Sequence, residues 1–185
     1  PFSIGTVSPK MKDLTITVNG VSKSYAMTGW RLGYLAAAPE IAKAVGSFQS
    51  HATSNVNTMT QYATIAALEG PTEPMQQMVK AFGERRNKMM EILDSMKPLG
   101  LDYVKPDGAF YVMLLCDKFY GKSYEGKVIK GSMDLTEMLL TYAMGALTPG
   151  ICFGDDDCIR LSYAISMDEM VEGLRRIGEF VAKIK

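Results

Sequence analysis

The sequence contains few of the residues from which metal sites and disulfide frameworks are built. It has a single histidine, His51, and three cysteines in 185 residues, with no CxxC pair among them. A structural zinc site needs four cysteine or histidine ligands at suitable spacing, so we expect no metal centre. An odd number of scattered cysteines indicates reduced thiols, which are typical of a cytoplasmic protein.

The chain also lacks an excess of charge of either sign and any long apolar run. Lysine plus arginine and aspartate plus glutamate both number 20. No overall field therefore favours nucleic acid or an anionic membrane as a partner. The longest apolar run, residues 109–116, is far too short to span a bilayer, and we expect no signal peptide. Because the chain starts at Pro1 rather than methionine, we expect a piece of a longer protein.

Strand-like and helix-like segments alternate along the chain, which predicts an α/β fold. β-branched and aromatic clusters predict strands at residues 14–18, 33–39, 102–105, 110–116 and 158–164. A further short strand is predicted just before Pro149. Apolar residues with helical spacing predict helices at residues 40–48, 58–68, 75–93 and 134–144, and a capping box formed by Ser166 and Glu169 predicts the start of a last helix. The polar segments 49–58 and 117–132 are predicted loops.

A domain boundary is predicted at Gly70-Pro71, where the composition changes and a long periodic helix follows. Residues 1–70 contain two predicted strands and two predicted helices, which are too few to close a sheet alone. Residues 71–185 form a more complete unit of strands and helices.

The segment SKSYAMTGWRLGY, residues 22–34, places Lys23 in a predicted loop directly after a strand. Ligands bind at strand ends in α/β sheets. Burial there would lower the pKa of the lysine amine and make it nucleophilic toward an aldehyde. Arg31 follows in the same loop and could hold a phosphate through a bidentate pair. Spacing alone favours two ordinary surface residues over this chemistry.

Three motifs together carry a resemblance to a known family. The segment VNGVSKSYAMTGWRLGYLAAAPE, residues 18–40, resembles the lysine signature of class I aminotransferases, which are pyridoxal-phosphate enzymes of fold type I. PDGAFYVM at 106–113 is similar to their Pro-x-Gly-Ala-Phe-Tyr segment, and TPGICFGDDDCIRLSYA at 148–164 is similar to their arginine segment. The order and separations fit the C-terminal portion of the aspartate aminotransferase-like subgroup: part of the large domain in residues 1–70 and the small αβ domain in 71–185.

The resemblance implies a role for each motif residue. Lys23 would form a Schiff base with pyridoxal 5′-phosphate and later move a proton between substrate and cofactor. Arg31 would pair with the cofactor phosphate, and Ser22 would donate to that phosphate or position the lysine. Arg160 would bind the α-carboxylate of the substrate, and Gly108 would lie beside it. The implied partners are an amino acid of aspartate or glutamate type, a 2-oxo acid, and a second copy in a homodimer of the full-length parent.

Two of these residues also have a purely structural interpretation. Arg160 lies in a predicted strand, where an outward-facing arginine is ordinary. Gly108 could serve only the turn PDG. The chain also departs from the family pattern at Gly20, where many members carry a hydroxyl residue, so one contact to the phosphate is not expected.

The family residues that hold the cofactor ring lie upstream of these motifs. They include a glycine-containing phosphate turn, a stacking aromatic residue, an asparagine, an aspartate for the ring nitrogen and a tyrosine, and none is located in this chain. We therefore expect the 185-residue chain alone to be inactive and to bind the cofactor weakly. Residues 1–70 should expose apolar surface and be disordered, rearranged or covered by another copy, whereas 71–185 should keep their fold.

Two other functions remain open at this point. A β-lyase or a decarboxylase would use the same lysine and arginines, and activity on cystathionine-type substrates would separate it from a transaminase. A transcription regulator with an aminotransferase-like sensing domain would need a winged-helix segment before the domain, and the sequence contains no basic recognition helix.

Overall fold

The computed structural model describes residues 2–185, which divide into two compact units. The first unit ends at Gln77 and the second comprises Met78–Lys185. The division lies inside a long helix, α4 (Glu73–Met96), and the boundary predicted at Gly70-Pro71 stays a prediction. Both units contain helices together with strands, which confirms the predicted α/β class.

The first unit is built from three helices and one pair of strands. In chain order they are α1 (Pro9–Leu14), β1 (Thr17–Gly20), β2 (Gly33–Ala36), α2 (Pro39–Ala52) and α3 (Thr58–Glu69). β1 and β2 pair antiparallel, with Thr17 opposite Ala36 and Gly20 opposite Gly33. The loop between them, residues 21–32, carries the lysine motif.

Two predicted elements of this unit are wrong in their extent. The strand predicted at 14–18 begins only at Thr17, because Leu14 belongs to α1. The Ser8 hydroxyl accepts from the Met11 N–H and Pro9 occupies the first helical position, and both features start that helix. The loop predicted at 49–58 is helical through Ala52. No proline or glycine interrupts that stretch, and the chain leaves the helix where Ser54 takes φ 65°.

The first unit exposes most of its apolar side chains. Of its described hydrophobic residues, Val21 is the one that is fully buried, whereas Val18, Phe48 and Tyr62 are each more than 70% exposed. Every residue of α2 is exposed. A helix without a buried face gains little from tertiary packing. The expected apolar surface is therefore confirmed, and what covers it stays a prediction.

The second unit is built around a four-stranded antiparallel sheet in the order β3-β4-β8-β7. Its elements after α4 are β3 (Asp102–Val104), β4 (Tyr111–Leu115), β5 (Ser123–Tyr124), β6 (Lys127–Val128), α5 (Ser132–Ala143), β7 (Thr148–Pro149), β8 (Cys158–Ser162) and α6 (Met167–Val181). The predicted capping box is confirmed, since Ser166 Oγ accepts from the Glu169 N–H and Glu169 Oε2 accepts from the Ser166 N–H.

The segment predicted as a loop at 117–132 contains the hairpin β5–β6 and the first residue of α5. Glu125 and Gly126 form the hairpin turn with φ of 49° and 77°, as a type I′ turn requires. Glu-Gly is a weak hairpin signal compared with Asn-Gly, which is why the sequence did not reveal it. Ile129, fully buried, anchors the excursion to the core.

The core of the second unit lies on one face of the sheet. Val112 and Leu114 of β4 and Ile159 and Leu161 of β8 are buried and belong to one cluster with side chains from α4, α5 and α6. The alternate residues of the same strands, such as Tyr111 and Arg160, point to the other face, because side chains alternate along a strand. The sheet therefore presents a second face that the core does not use.

The three cysteines are free, and two are buried. Burial raises the pKa of the Cys116 and Cys158 thiols to about 11, so both are protonated and unreactive near neutral pH. Cys152 is exposed.

An ion-pair network on α6 makes stability depend on pH. Glu172 accepts from Arg175 Nε and from Arg176 Nε, each at 2.7 Å, and these bonds lower the pKa of the Glu172 carboxyl from 4.5 to about 2. Because the folded pKa lies below the unfolded one, the carboxylate stabilises the fold above about pH 4.5, and that contribution is lost as pH falls toward 2.

We therefore expect Glu172→Gln to lower the urea midpoint of unfolding at pH 6. Near pH 2 its midpoint should equal that of the unsubstituted 185-residue chain. Urea titrations between these pH values measure the effect. Glu84→Gln, an exposed change on α4, is the control and should leave the pH dependence unaltered. Equal pH dependence in Glu172→Gln and the parent chain would contradict the assignment.

Candidate functional site

The lysine loop closes on a pair of glycines. Gly20 at the end of β1 lies opposite Gly33 at the start of β2. A Cβ added to Gly20 would lie 3.3 Å from the Leu32 carbonyl oxygen, and one added to Gly33 would lie 3.3 Å from the Asn19 carbonyl oxygen. The absence of side chains at both positions lets the two ends of the loop approach closely.

Inside the loop, a tight turn surrounds the lysine. The Tyr25 N–H donates to the Val21 carbonyl oxygen at 3.1 Å, and the Ala26 N–H donates to the Lys23 carbonyl oxygen at 3.3 Å. Ala26 and Arg31 have φ of 54° and 52°, which lie in the left-handed region. This conformation is unfavourable for any residue that has a side chain. Such strained residues cluster at functional sites, so the loop geometry motivates a functional hypothesis.

The structure brings three of the predicted site residues into this loop, but not with the expected burial. Ser22 is half-buried beside the fully buried Val21, whereas Lys23 and Arg31 are exposed. The Lys23 side chain is therefore open to solvent in this chain, and its role stays a prediction. The loop extends from a sheet of only two strands, which supplies few neighbours to cover it.

Arg31 lies in a groove together with the N-terminus of α3. The groove has a volume of about 910 Å³ and is lined by the loop residues Trp30 and Arg31, by Asn55 and Asn57, and by Thr60 on α3. Asn57 caps α3, because its side-chain oxygen accepts from the N–H groups of Met59 and Thr60 at 2.9 and 3.3 Å. A guanidinium and the positive end of a helix dipole in one groove favour an anion.

The loop predicted at 49–58 did not by itself indicate this second wall of the groove. The signal was Asn57 directly before the predicted helix at Thr58, which is a typical N-cap. The Arg31 guanidinium is itself held by a bond from Nη1 to the Thr28 carbonyl oxygen at 2.8 Å.

Arg160 lies on the second face of the sheet in the second unit. In β8 it is opposite Met113 of β4 and Thr148 of β7, and it is half-buried. Its Cζ lies 4.2 Å from the centre of the Tyr111 ring and 4.2 Å from that of the Phe153 ring. None of the ion pairs formed within residues 2–185 includes Arg160. Arg160 thus points away from the core, as its purely structural interpretation expects. It is also a half-buried cation without a carboxylate partner among the described residues.

Gly108 lies in a different groove of the second unit. This groove has a volume of about 450 Å³ and is lined by Phe82, Arg86, Phe110 and Tyr163 together with Gly108, and Arg160 is not part of its lining. A Cβ on Gly108 would meet nothing within 4 Å. The left-handed residue of this turn is Ala109, with φ 61°, so the turn does not require the glycine. A position beside the substrate stays a prediction.

Two further properties of the described residues bear on the kind of site. Within residues 2–185, no group of three or more His, Cys, Asp or Glu side chains is arranged to hold a metal ion. None of the helices in this range combines the length and the apolar character needed to cross a bilayer.

Comparison with known sequences gives matches over nearly the whole chain. A sequence model of the family described as aminotransferase class I and II matches residues 2–177. The chain is 41% identical to a probable aspartate/prephenate aminotransferase of Rickettsia bellii over 95% of its own length and 44% of the relative's length. It is 42% identical to an aspartate aminotransferase of Geobacillus stearothermophilus, over 97% of this chain and 44% of that protein.

Comparison with solved structures gives the same picture. The chain matches a crystal structure of the aspartate aminotransferase from Rhizobium meliloti with a TM-score of 0.90 and 40% identity, over 96% of this chain and 44% of that one. An aromatic aminotransferase from Pyrococcus horikoshii matches with a TM-score of 0.84 and 33% identity, over 97% of this chain and 46% of that one. The chain thus spans less than half the length of the proteins it resembles.

Proposed function

This chain belongs to the class I and II aminotransferase family, and from that membership we propose that its full-length parent moves an amino group between an L-amino acid and a 2-oxo acid. The parent is the longer protein that we propose contains these 185 residues, since the chain spans 44% of the relatives' length. The observation that carries the proposal is the loop closed at Gly20 and Gly33, which contains both Lys23 and Arg31. The aspartate aminotransferases among its relatives favour an aspartate- or glutamate-like substrate.

The side chains of the first unit fit pyridoxal 5′-phosphate as the cofactor. Its aldehyde suits the Lys23 amine, and its phosphate suits the groove that contains the Arg31 guanidinium and the α3 N-terminus, with the Ser22 hydroxyl in the same loop as Arg31. Arg31 and that N-terminus line one groove, which supports an anion there. The bound cofactor would act as a sink for the electron pair released at the amino acid's α-carbon.

Each residue then has a defined task in the transfer. Lys23 would hold the cofactor through its Nζ atom, and the same amine would carry the proton between the substrate's α-carbon and the cofactor. Arg160 binds the α-carboxylate of the amino acid and then that of the 2-oxo acid, because both substrates carry this group. Arg160 has no carboxylate partner among residues 2–185, which supports this role.

We further propose that the parent is a cytoplasmic homodimer. The free cysteines support a reducing compartment. The exposed apolar side chains of the first unit support coverage by other parts of the parent or by its second copy. We expect the 185-residue chain by itself to be inactive, because these exposed side chains and the exposed Lys23 leave few neighbours to surround a bound cofactor.

The test uses the parent and the isolated chain side by side. We expect the parent, loaded with pyridoxal phosphate, to transfer the amino group of aspartate to 2-oxoglutarate. Reduction with borohydride should leave the cofactor covalently attached at Lys23, as located by mass spectrometry of peptides. The isolated chain should show neither transfer nor stoichiometric attachment. Attachment at another lysine, or release of ammonia instead of amino transfer, would refute the proposed function.

A further inference from the structure

Arg160 is held between two aromatic rings that do not touch each other. Its Cζ lies over the Tyr111 ring and over the Phe153 ring at the same distance, 4.2 Å. The ring–ring contacts found within residues 2–185 do not include a pair between Tyr111 and Phe153. Both rings therefore contact the same guanidinium without contacting each other.

The two rings reach Arg160 from different elements. Tyr111 lies on β4 opposite Ser162, one diagonal step from Arg160 on the same face of the sheet. Phe153 lies in the short 3₁₀ turn Gly150–Phe153 that precedes β8. The Tyr111 ring also packs on Phe110, with ring centres 4.5 Å apart. The sheet register thus determines the place of one ring and a local turn that of the other.

This arrangement restricts how a ligand can approach the guanidinium. Aromatic faces attract a cation, and here two of them lie close to one guanidinium carbon from different elements. The N–H donors of a guanidinium lie in its plane, so rings that pack on its faces leave those donors free to bind a ligand at the edge. A carboxylate is also planar and can accept two parallel bonds from that edge, whereas the oxygens of a tetrahedral anion extend out of the plane toward the rings.

We propose that Tyr111 and Phe153 are positioning residues that orient the Arg160 guanidinium and make its site selective for planar carboxylates over tetrahedral anions. The inference rests on the proposed function, since that function assigns a carboxylate to Arg160. It goes further by naming what orients the arginine and which anions the site rejects.

Nuclear magnetic resonance on the ¹⁵N-labelled chain tests the orientation. The Arg160 Nε–Hε signal is assigned by its loss in Arg160→Lys. We expect this proton to be shielded by ring currents, and the shielding to fall in Tyr111→Leu and in Phe153→Leu. The variants Tyr111→Phe and Phe153→Tyr keep a ring and should retain it. Met113→Leu is the matched control, because Met113 lies directly opposite Arg160 without a ring.

Titration with acetate and with sulfate at equal ionic strength tests the selectivity on the same signal. We expect acetate to bind more tightly than sulfate, and the ratio of the two affinities to fall about threefold in each leucine variant. Unchanged shielding, or an unchanged ratio, in both leucine variants would overturn the positioning role while leaving the carboxylate role of Arg160 intact. If acetate fails to move the Arg160 signal in the unsubstituted 185-residue chain, the carboxylate role itself fails, and the selectivity proposal fails with it.

Discussion

Replacing Lys23 by alanine in the full-length parent should lower the rate of amino transfer by about 10²–10⁴-fold or more, because general acid–base catalysis by one side chain contributes that much. Covalent attachment of the cofactor would be lost at the same time. The rate is measured with aspartate and 2-oxoglutarate at saturating cofactor, so that weaker cofactor binding does not account for the loss.

Two further variants separate the chemistry of Lys23 from its charge. Lys23→Arg keeps a cation in the loop, but a guanidinium stays protonated and is no nucleophile, so we expect the same loss of rate as in Lys23→Ala. Lys43→Ala removes an exposed lysine from α2 of the same unit and should leave the rate unchanged. Activity near the parent level in Lys23→Arg would show that the residue supplies only charge.

Replacing Gly150 by alanine should destabilise the second unit by about 3 kcal/mol or more, at or above the upper end of ordinary overpacking. A Cβ at this buried position would lie 2.2 Å from the Asp155 carbonyl oxygen, 2.4 Å from the Cys158 carbonyl oxygen and 2.6 Å from the Cys158 Sγ. Two of these atoms belong to the backbone, so a rotation of side chains cannot relieve the clash. The turn that carries Phe153 would have to move away from β8.

Urea unfolding of the chain measures this effect, with Gly173→Ala as the matched control. Gly173 lies within α6, and a Cβ there would meet nothing within 4 Å. Alanine in a helix interior is more stable than glycine, so this control should gain about 0.5–1 kcal/mol. If the Gly150→Ala chain unfolds at the same urea midpoint as the unsubstituted 185-residue chain, the turn can open without loss of packing.

The elements that the sequence predicted well are those whose causes are local. α3 begins at Thr58 and α6 follows Ser166, because caps and helical spacing act within a few residues of the chain. Local signals failed where they competed or were weak. Leu14 belongs to an alternating β-branched stretch, yet it lies in α1, which the cap at Ser8 starts. The Glu-Gly turn of β5–β6 has no strong sequence signal for a hairpin.

The order and spacing of three motifs, all read from the sequence, were sufficient to indicate the family and to single out Lys23, Arg31 and Arg160 for functional roles. Tertiary structure alone decided the surroundings of those residues. Only folding places the N-terminus of α3 beside Arg31 and the rings of Tyr111 and Phe153 over Arg160. These contacts depend on strand register and on the path of the chain through space, which local sequence patterns do not encode.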